Sequence, residues 1–293
     1  MLTKQTTFVL GAGASVPFGF PTGLQLSKIM VEGLQPEGEV FNVLEKYCDF
    51  SDADIAAFKS AFFYSGKNSV DAFLEHRTEF MAIGKAAMAS VLLKYEIPED
   101  LFRFENNWLR YLYDRMNSVF KDFGQNKLSI ITFNYDRTVE EFFNTSLRNT
   151  YANLKEEDYV IALSKVPIIH LHGRLGNLNY QGKHSRAFSP LINAHTTNLA
   201  TENIKIIHEV TQDFSRAKKL LADAEQVFFL GFGYNPKNME RLGMGAIPPG
   251  IAKGTALGMT PHEWSTVSTL ANGKIERVEG DCMACLREHV IFN

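Results

Sequence analysis

Short apolar runs recur along the chain, and each ends in glycine, asparagine or threonine. Runs of this kind, often rich in β-branched residues, are typical of strands buried on both faces of a parallel sheet. Six segments carry the pattern: 6–11 (TTFVLG), 128–134 (LSIITFN), 166–173 (VPIIHLHG), 226–233 (QVFFLGFG), 254–260 (GTALGMT) and 274–280 (KIERVEG). The last segment alternates apolar and polar residues, which favours an edge strand.

Helical periodicity fills the spaces between these runs. Segment 203–224 predicts one helix, and the stretch 24–126 shows helical periodicity with no convincing strand. Within that stretch Ser69 is expected to cap a helix, and another helix follows Pro98. The first helix has the apolar stripe Val70, Leu74, Met81, Met88, Leu92 and Tyr95, and the second carries Trp108, Tyr111 and Leu112. Strands alternating with helices predict an α/β fold with a doubly wound, Rossmann-like, mostly parallel sheet.

Composition narrows the class of protein. The chain has 293 residues, 45% of them hydrophobic and 22% charged, with a formal net charge of -3. These values predict a globular protein without a nucleic-acid partner. We expect residues 1–293 to form one domain, with 24–126 as a helical insertion. The polar stretch 1–7 and the lack of a long apolar run predict neither a secretory signal nor a membrane span, hence a cytoplasmic location.

The residues that follow the strands are the candidates for function, because ligands bind at the carboxyl ends of the strands in doubly wound sheets. Gly11 and Gly13 would let the backbone turn tightly and bring its N–H groups against a pyrophosphate. A nicotinamide-dependent dehydrogenase is disfavoured, because Val16 replaces the third glycine of the usual fingerprint and no second strand follows within about 20 residues. A turn without any ligand is the simpler alternative.

Polar and glycine residues end the other strands as well. Asn134 and Asp136 follow the second strand, and His170 and His172 belong to the end of the third. Each has an ordinary structural explanation, since Asn and Asp cap helices, buried histidines are often structural and glycines occur in loops. Their joint occurrence at successive strand ends favours a site. The remaining strand-end candidates are Gly231, Gly233 and Asp281.

Five of these motifs together resemble the sirtuin superfamily. They are GAGAS, FNYD, LHG, GFG and GDC, in the order that the family has them. The resemblance implies that Ser15 and the backbone of Gly11, Ala12 and Gly13 hold the phosphates of NAD. It further implies that His172 is the general base. The other implied contacts are Asn134 and Asp136 with nicotinamide and ribose, Gly231 and Gly233 with ribose and phosphates, and Asp281 and Cys282 near the adenine.

Departures from the protein-deacylating sirtuins point to one branch of the superfamily. The chain lacks the acid and arginine after the first loop, and it lacks the two Cys-x-x-C pairs of their zinc ribbon. We therefore expect no zinc. The segment 69–80 (SVDAFLEHRTEF) resembles the helical module of bacterial sirtuin-like NAD hydrolases of anti-phage defence. This resemblance implies an NAD glycohydrolase that uses NAD as substrate and works as a homo-oligomer or under a regulatory partner such as a sensor or ATPase.

Residue chemistry supports the same reaction and leaves alternatives open. The amide of Asn134 can orient a water, and a neutral imidazole at His172 can accept its proton, whereas His170 is expected to be structural. The product is ADP-ribose, or a cyclic form if a ribose hydroxyl attacks instead. The alternatives are a non-catalytic sensor of NAD or an ADP-ribose derivative and, third, an atypical deacylase or ADP-ribosyltransferase. Because a free NAD hydrolase would drain its own cell, we expect imported control.

Overall fold

Six parallel strands form one sheet, as the apolar runs predict. The computed structural model describes residues 1–116, 119–206 and 212–292. Within these residues the strand order is β3-β2-β1-β4-β5-β6, and every pairing is parallel. The strands are β1 (Thr6–Leu10), β2 (Leu128–Thr132), β3 (Ile168–His170), β4 (Gln226–Leu230), β5 (Ala252–Thr255) and β6 (Ile275–Val278). The expected α/β, doubly wound, Rossmann-like fold is confirmed.

Burial explains why the central strands are continuous apolar runs. Every residue of β1, β2 and β4 is buried. Because alternate side chains of a strand point to opposite faces, Phe8 joins the core on one side of the sheet and Val9 joins the core on the other. Strand β6 lies at the sheet edge as predicted, with Ile275 buried and Glu276 exposed.

The winding of the sheet reverses between β1 and β4. From β1 the chain moves outward through β2 to β3, then returns to place β4 on the other side of β1 and continues to β5 and β6. The turns that follow β1 and β4 therefore lie side by side at the carboxyl edge. In such sheets this reversal opens a crevice in which ligands bind.

Helices cover both faces of the sheet, and those between β1 and β2 form the expected helical region. In the described part of 24–126 the chain contains no strand. The helices are α1 (Gly23–Gly33), α2 (Glu39–Cys48), α3 (Asp52–Tyr64), α4 (Val70–Leu74), α5 (Met81–Leu92), α6 (Trp108–Met116), α7 (Thr138–Thr150), α8 (Glu156–Ser164), α9 (Ala194–Asn203), α10 (Gln212–Ala222), α11 (Pro236–Leu242), α12 (Pro261–Leu270) and α13 (Cys282–His289).

The helix predicted to run from Ser69 to Tyr95 is two helices. Ser69 caps α4 as expected, because its side chain accepts from the backbone N–H of Ala72 at 3.1 Å. Helix α4 ends after five residues, and α5 begins at Met81. Between them the ring of Phe80 packs against Phe58 and Phe73, with centroid distances of 5.7 and 5.9 Å. This aromatic cluster favours a turn over a continuous helix.

The helix predicted over 203–224 is also wrong in its first part. Helix α9 ends at Asn203, Ile204 forms an antiparallel bridge with Gly173, and the Lys205 N–H donates to the His172 carbonyl at 2.8 Å. These extended contacts with the end of β3 replace the helical pattern locally. Residues 207–211 lie outside the described residues, and α10 covers most of the remainder.

The helical region shares one core with the sheet. Leu26 and Met88 belong to the same buried cluster as Phe8, Ile130 and Phe228. Packing against the sheet therefore stabilises this region, as expected for apolar stripes on helices. Among the described helices, none has the length and apolar character needed to cross a membrane.

A buried ion-pair cluster joins the helical region to the end of β2. The Glu96 carboxylate accepts from Arg137 Nε at 2.8 Å and Nη2 at 2.6 Å, and it also accepts from Arg186. Arg137 further donates to the carbonyls of Asn177 and Ala187. The side chains of Glu96 and Arg137 are fully buried. One carboxylate therefore fixes two guanidinium groups that lie far apart in the sequence.

Replacing Glu96 with alanine should destabilise the protein strongly. Two buried guanidinium groups would lose their counter-charge, which typically costs about 3–5 kcal/mol. The matched control is Glu32→Ala, because Glu32 is exposed and its contact with Lys28 is 3.9 Å; an exposed pair contributes about 1 kcal/mol or less. Urea unfolding followed by circular dichroism measures both. Equal losses in the two variants would contradict the role of the cluster.

Candidate active site

A cavity of about 570 Å³ lies at the carboxyl edge of the sheet, where the winding reverses. Its walls come from the turns after β1, β2, β3 and β4 and from the helical region around α4. The structure therefore brings together residues from four strand ends. The predicted site residues that line it are Gly11, Ala12, Ser15, Asn134, Asp136, His172 and Gly233.

Gly13 and Gly231 lie behind this wall, where two turns touch. The Gly13 N–H donates to the Gly231 carbonyl at 2.9 Å. A Cβ on Gly231 would lie 2.1 Å from the backbone nitrogen of Ala14, and Gly231 has a left-handed φ of +56°. A side chain would thus be excluded both by space and by conformation. These two glycines allow the ends of β1 and β4 to approach each other.

The amides of the first turn are mostly engaged within the protein. The Gly11 N–H donates to Leu230 at 3.1 Å, and the N–H groups of Ala14 and Ser15 donate to the carbonyls of Gly11 and Ala12. Among the described residues, no acceptor meets the N–H of Ala12, which lines the cavity. Ala12 therefore offers the amide of this turn that an anionic ligand can take.

Asn134 is held at four points. Its Nδ2 donates to the Gly11 carbonyl and to Ser15 Oγ, both at 3.0 Å. Its backbone N–H donates to Thr132 Oγ1 at 3.0 Å, and its carbonyl accepts from His170 Nδ1 at the same distance. Oδ1 is the polar atom of Asn134 for which the described residues supply no partner. The side chain is thereby fixed in orientation with an acceptor still available.

Asp136 is a buried hub for the neighbouring turn. Its Oδ2 accepts from Ser15 Oγ at 2.7 Å. Its Oδ1 accepts from the N–H of Thr138 at 3.1 Å and from the Thr138 hydroxyl at 2.6 Å. Both oxygens are therefore engaged, so Asp136 orients Ser15 and the start of α7.

His172 combines burial with a free ring nitrogen. The residue is 5% exposed, and Nε2 has no hydrogen-bond partner in the described part of the chain. The rings of Phe133 and Tyr135 lie 5.4 and 6.3 Å from its own centroid. Burial lowers the pKa of His172 below its ordinary 6.5, and this outweighs the nearby Asp71 carboxylate, which raises it. The imidazole is consequently neutral at pH 7.

His170 lies deeper and bonds on both sides. Its Nδ1 contacts the Asn134 carbonyl at 3.0 Å, and its Nε2 contacts Glu140 Oε1 at 2.7 Å. Arg174 reaches the same carboxylate oxygen at 3.3 Å. Both nitrogens of His170 face acceptors, so both donate. This pair supports the backbone of Asn134 from beneath, which is the structural role expected for His170.

The helical region supplies a wall that sequence patterns did not indicate. Asp71 and Glu75, from α4 and the turn after it, line the cavity. The Tyr135 hydroxyl donates to Asp71, and Lys237, from α11, pairs with Glu75, whose side chain is almost fully buried. Tyr135 lies within the FNYD motif and was within reach of sequence reasoning. No local signal marks Asp71 or Glu75, because they belong to the insertion.

Asp281 and Cys282 lie away from this cavity, at the start of α13. Asp281 Oδ1 accepts from the Ala284 N–H at 2.9 Å and caps the helix. Cys282 is buried, and burial raises the pKa of its thiol. Neither lines the cavity. Within the described ranges, no group of three or more His, Cys, Asp or Glu side chains could hold a metal ion.

The Glu140–His170 pair should make stability depend on pH. Burial favours the neutral form of Glu140, but the charge and hydrogen bond of His170 prevail and lower its pKa from 4.5 to about 2. The pair therefore stabilises the fold above pH 4.5, and about 3 kcal/mol is lost as the pH falls towards 2. Urea unfolding between pH 7 and 3 should show this slope, and Glu140→Gln should remove it. The exposed Glu105→Gln is the control; an unchanged slope in Glu140→Gln would contradict the assignment.

Comparisons with known proteins add no family to this description. No family model matches the chain, and no curated protein matches it. The functional argument therefore rests on the residues of the site itself, and the resemblance that the five motifs suggest stays a prediction.

Proposed function

We propose that this protein hydrolyses NAD at the bond between nicotinamide and ribose. The observation that carries the proposal is the pairing of Asn134 and His172 in one cavity. Asn134 is fixed with Oδ1 still available, and His172 is buried with Nε2 unpartnered. A ready-positioned hydrogen-bond acceptor beside a neutral base is what activation of a water molecule requires.

The reaction needs little from the protein beyond positioning. The bond from the ribose carbon to the pyridinium nitrogen breaks, its electron pair goes to the nitrogen, and nicotinamide leaves as a neutral molecule. A water oxygen forms the new bond to the same carbon. Asn134 Oδ1 accepts a hydrogen bond from that water, and His172 Nε2 takes its proton. The products are nicotinamide and ADP-ribose.

The surroundings of the cavity fit such a reaction. The helical region covers the strand ends with α4, so bulk water is restricted at the reacting atoms. The N–H of Ala12 and the turn after β4 face the same space and are available for the phosphates and ribose. A binding protein that senses NAD without turnover would use the same contacts but would have no need of a free imidazole.

Removing either proposed group should abolish most of the activity. Asn134→Ala and His172→Ala should each lower the rate of NAD cleavage by about 100-fold or more, because each removes a positioned group. Asn149→Ala and His195→Ala change exposed residues of the same types on α7 and α9 and serve as controls. Chromatography of released nicotinamide measures the rate, and thermal unfolding checks the fold.

Two outcomes would contradict the proposal. Wild-type turnover in either site variant would exclude the assigned roles. Tight binding of NAD by the wild-type protein without release of nicotinamide would favour the sensor instead.

The pH dependence of activity follows from His172. The base works in its neutral form, and its pKa is lowered below 6.5 because the ring is buried. We therefore expect kcat/KM to be flat from pH 7.5 to 6.5 and to fall only at lower pH, with one proton taken up. His195→Ala should leave the profile unchanged. An acid limb centred above pH 6.5 would show that another group is the base.

A further inference from the structure

Asn238 lines the same cavity as His172, yet its side chain makes no hydrogen bond with the described residues. Its Oδ1 is buried. Buried asparagines elsewhere in the chain are bonded: Asn126, for example, donates to Met116 and Phe123 and accepts from the backbone of Leu2. Because buried polar groups are nearly always paired, an unpaired amide that faces a cavity indicates a ligand.

The backbone around Asn238 is fixed, so the free amide is not a surface side chain by chance. Tyr234 begins the turn with a left-handed φ of +49°, and its hydroxyl donates to the Thr255 carbonyl at 3.1 Å. Asn235 caps α11 by accepting from Lys237 at 2.9 Å. Met239 is buried next to Asn238 in sequence. The fold holds Asn238 in place and leaves its amide unpaired.

The position of Asn238 places its amide near the proposed reacting end of the ligand. His172 Nε2 and Asn238 Oδ1 are both buried, both unpartnered and both on the wall of one cavity. Arg241, one turn further along α11, acts electrostatically on His172. The group that Asn238 meets is therefore the part of the ligand closest to the base, if the proposed function is right.

We propose that Asn238 binds the carboxamide of the nicotinamide ring. An asparagine amide presents one acceptor and two donors, and a primary carboxamide presents the same set, so the two can pair with two hydrogen bonds. This holds in either orientation of the asparagine side chain. Asp136, the residue that the motif pattern suggests for this contact, has both oxygens engaged by Ser15 and Thr138.

This subsite selects a ligand by its chemistry. A ring with a methyl ketone in place of the carboxamide keeps the acceptor but has no N–H for Asn238 Oδ1. A ring with a carboxylate places negative charge against the same oxygen. Because a buried acceptor left unpaired is costly, both analogues should bind more weakly than nicotinamide. The inference rests on the proposed function only for the identity of the ring.

Binding of the free ring compounds tests the subsite without any turnover. Calorimetric titration should show that nicotinamide binds the wild-type protein about tenfold or more tightly than 3-acetylpyridine, with nicotinate also weaker. Asn238→Ala should reduce the difference between nicotinamide and 3-acetylpyridine to about twofold or less, because the selecting hydrogen bonds are gone. Asn238→Leu, which keeps the volume of the side chain, should do the same.

The control is Glu240→Ala, an exposed residue on the same helix, which should keep the wild-type preference. An unchanged preference in both Asn238 variants, or no preference in the wild-type protein, would overturn the subsite. NAD cleavage together with an unchanged preference would overturn the subsite alone. Selective, Asn238-dependent binding of nicotinamide without NAD cleavage would overturn the proposed function alone.

Discussion

The backbone contact between the turns after β1 and β4 is the constraint on which the site depends. Gly13 donates to the Gly231 carbonyl at 2.9 Å, and a Cβ on either residue would lie within 3 Å of the facing backbone. The close approach holds the two halves of the sheet together where their winding diverges. It also uses the amides that a phosphate loop would otherwise present, so the turn is primarily a structural joint that keeps Ala12 available.

A second layer of polar contacts converts this joint into a site. Ser15 donates to Asp136 and accepts from Asn134, so the turns after β1 and β2 share one buried network. His170 and its partner Glu140 support the same backbone from beneath. The network satisfies the groups that must stay still. The atoms left unpaired face the cavity, which is the division that binding and proton transfer require.

The helical region completes the site and is held to it by buried polar bonds. Glu96 binds Arg137 beside Asp136, and Trp108 donates from its indole N–H to the Ala14 carbonyl at 2.7 Å. Most of its large aromatic residues belong to the core, as expected. Those buried are Phe58, Phe62, Phe73 and Trp108, those half-buried are Tyr111 and Tyr113, and those exposed are Phe63 and Tyr64.

The sequence by itself determined the six strands, the edge position of β6 and the gathering of Asn134 and His172 at strand ends, because runs buried on both faces are a local signal. It misjudged the helices around Phe80 and Ile204, where contacts with distant residues prevail over local periodicity. Only the tertiary structure decided which polar atoms are free. Ser15 and Asp136 are separated by 121 positions, and pairings over such distances leave no trace in spacing.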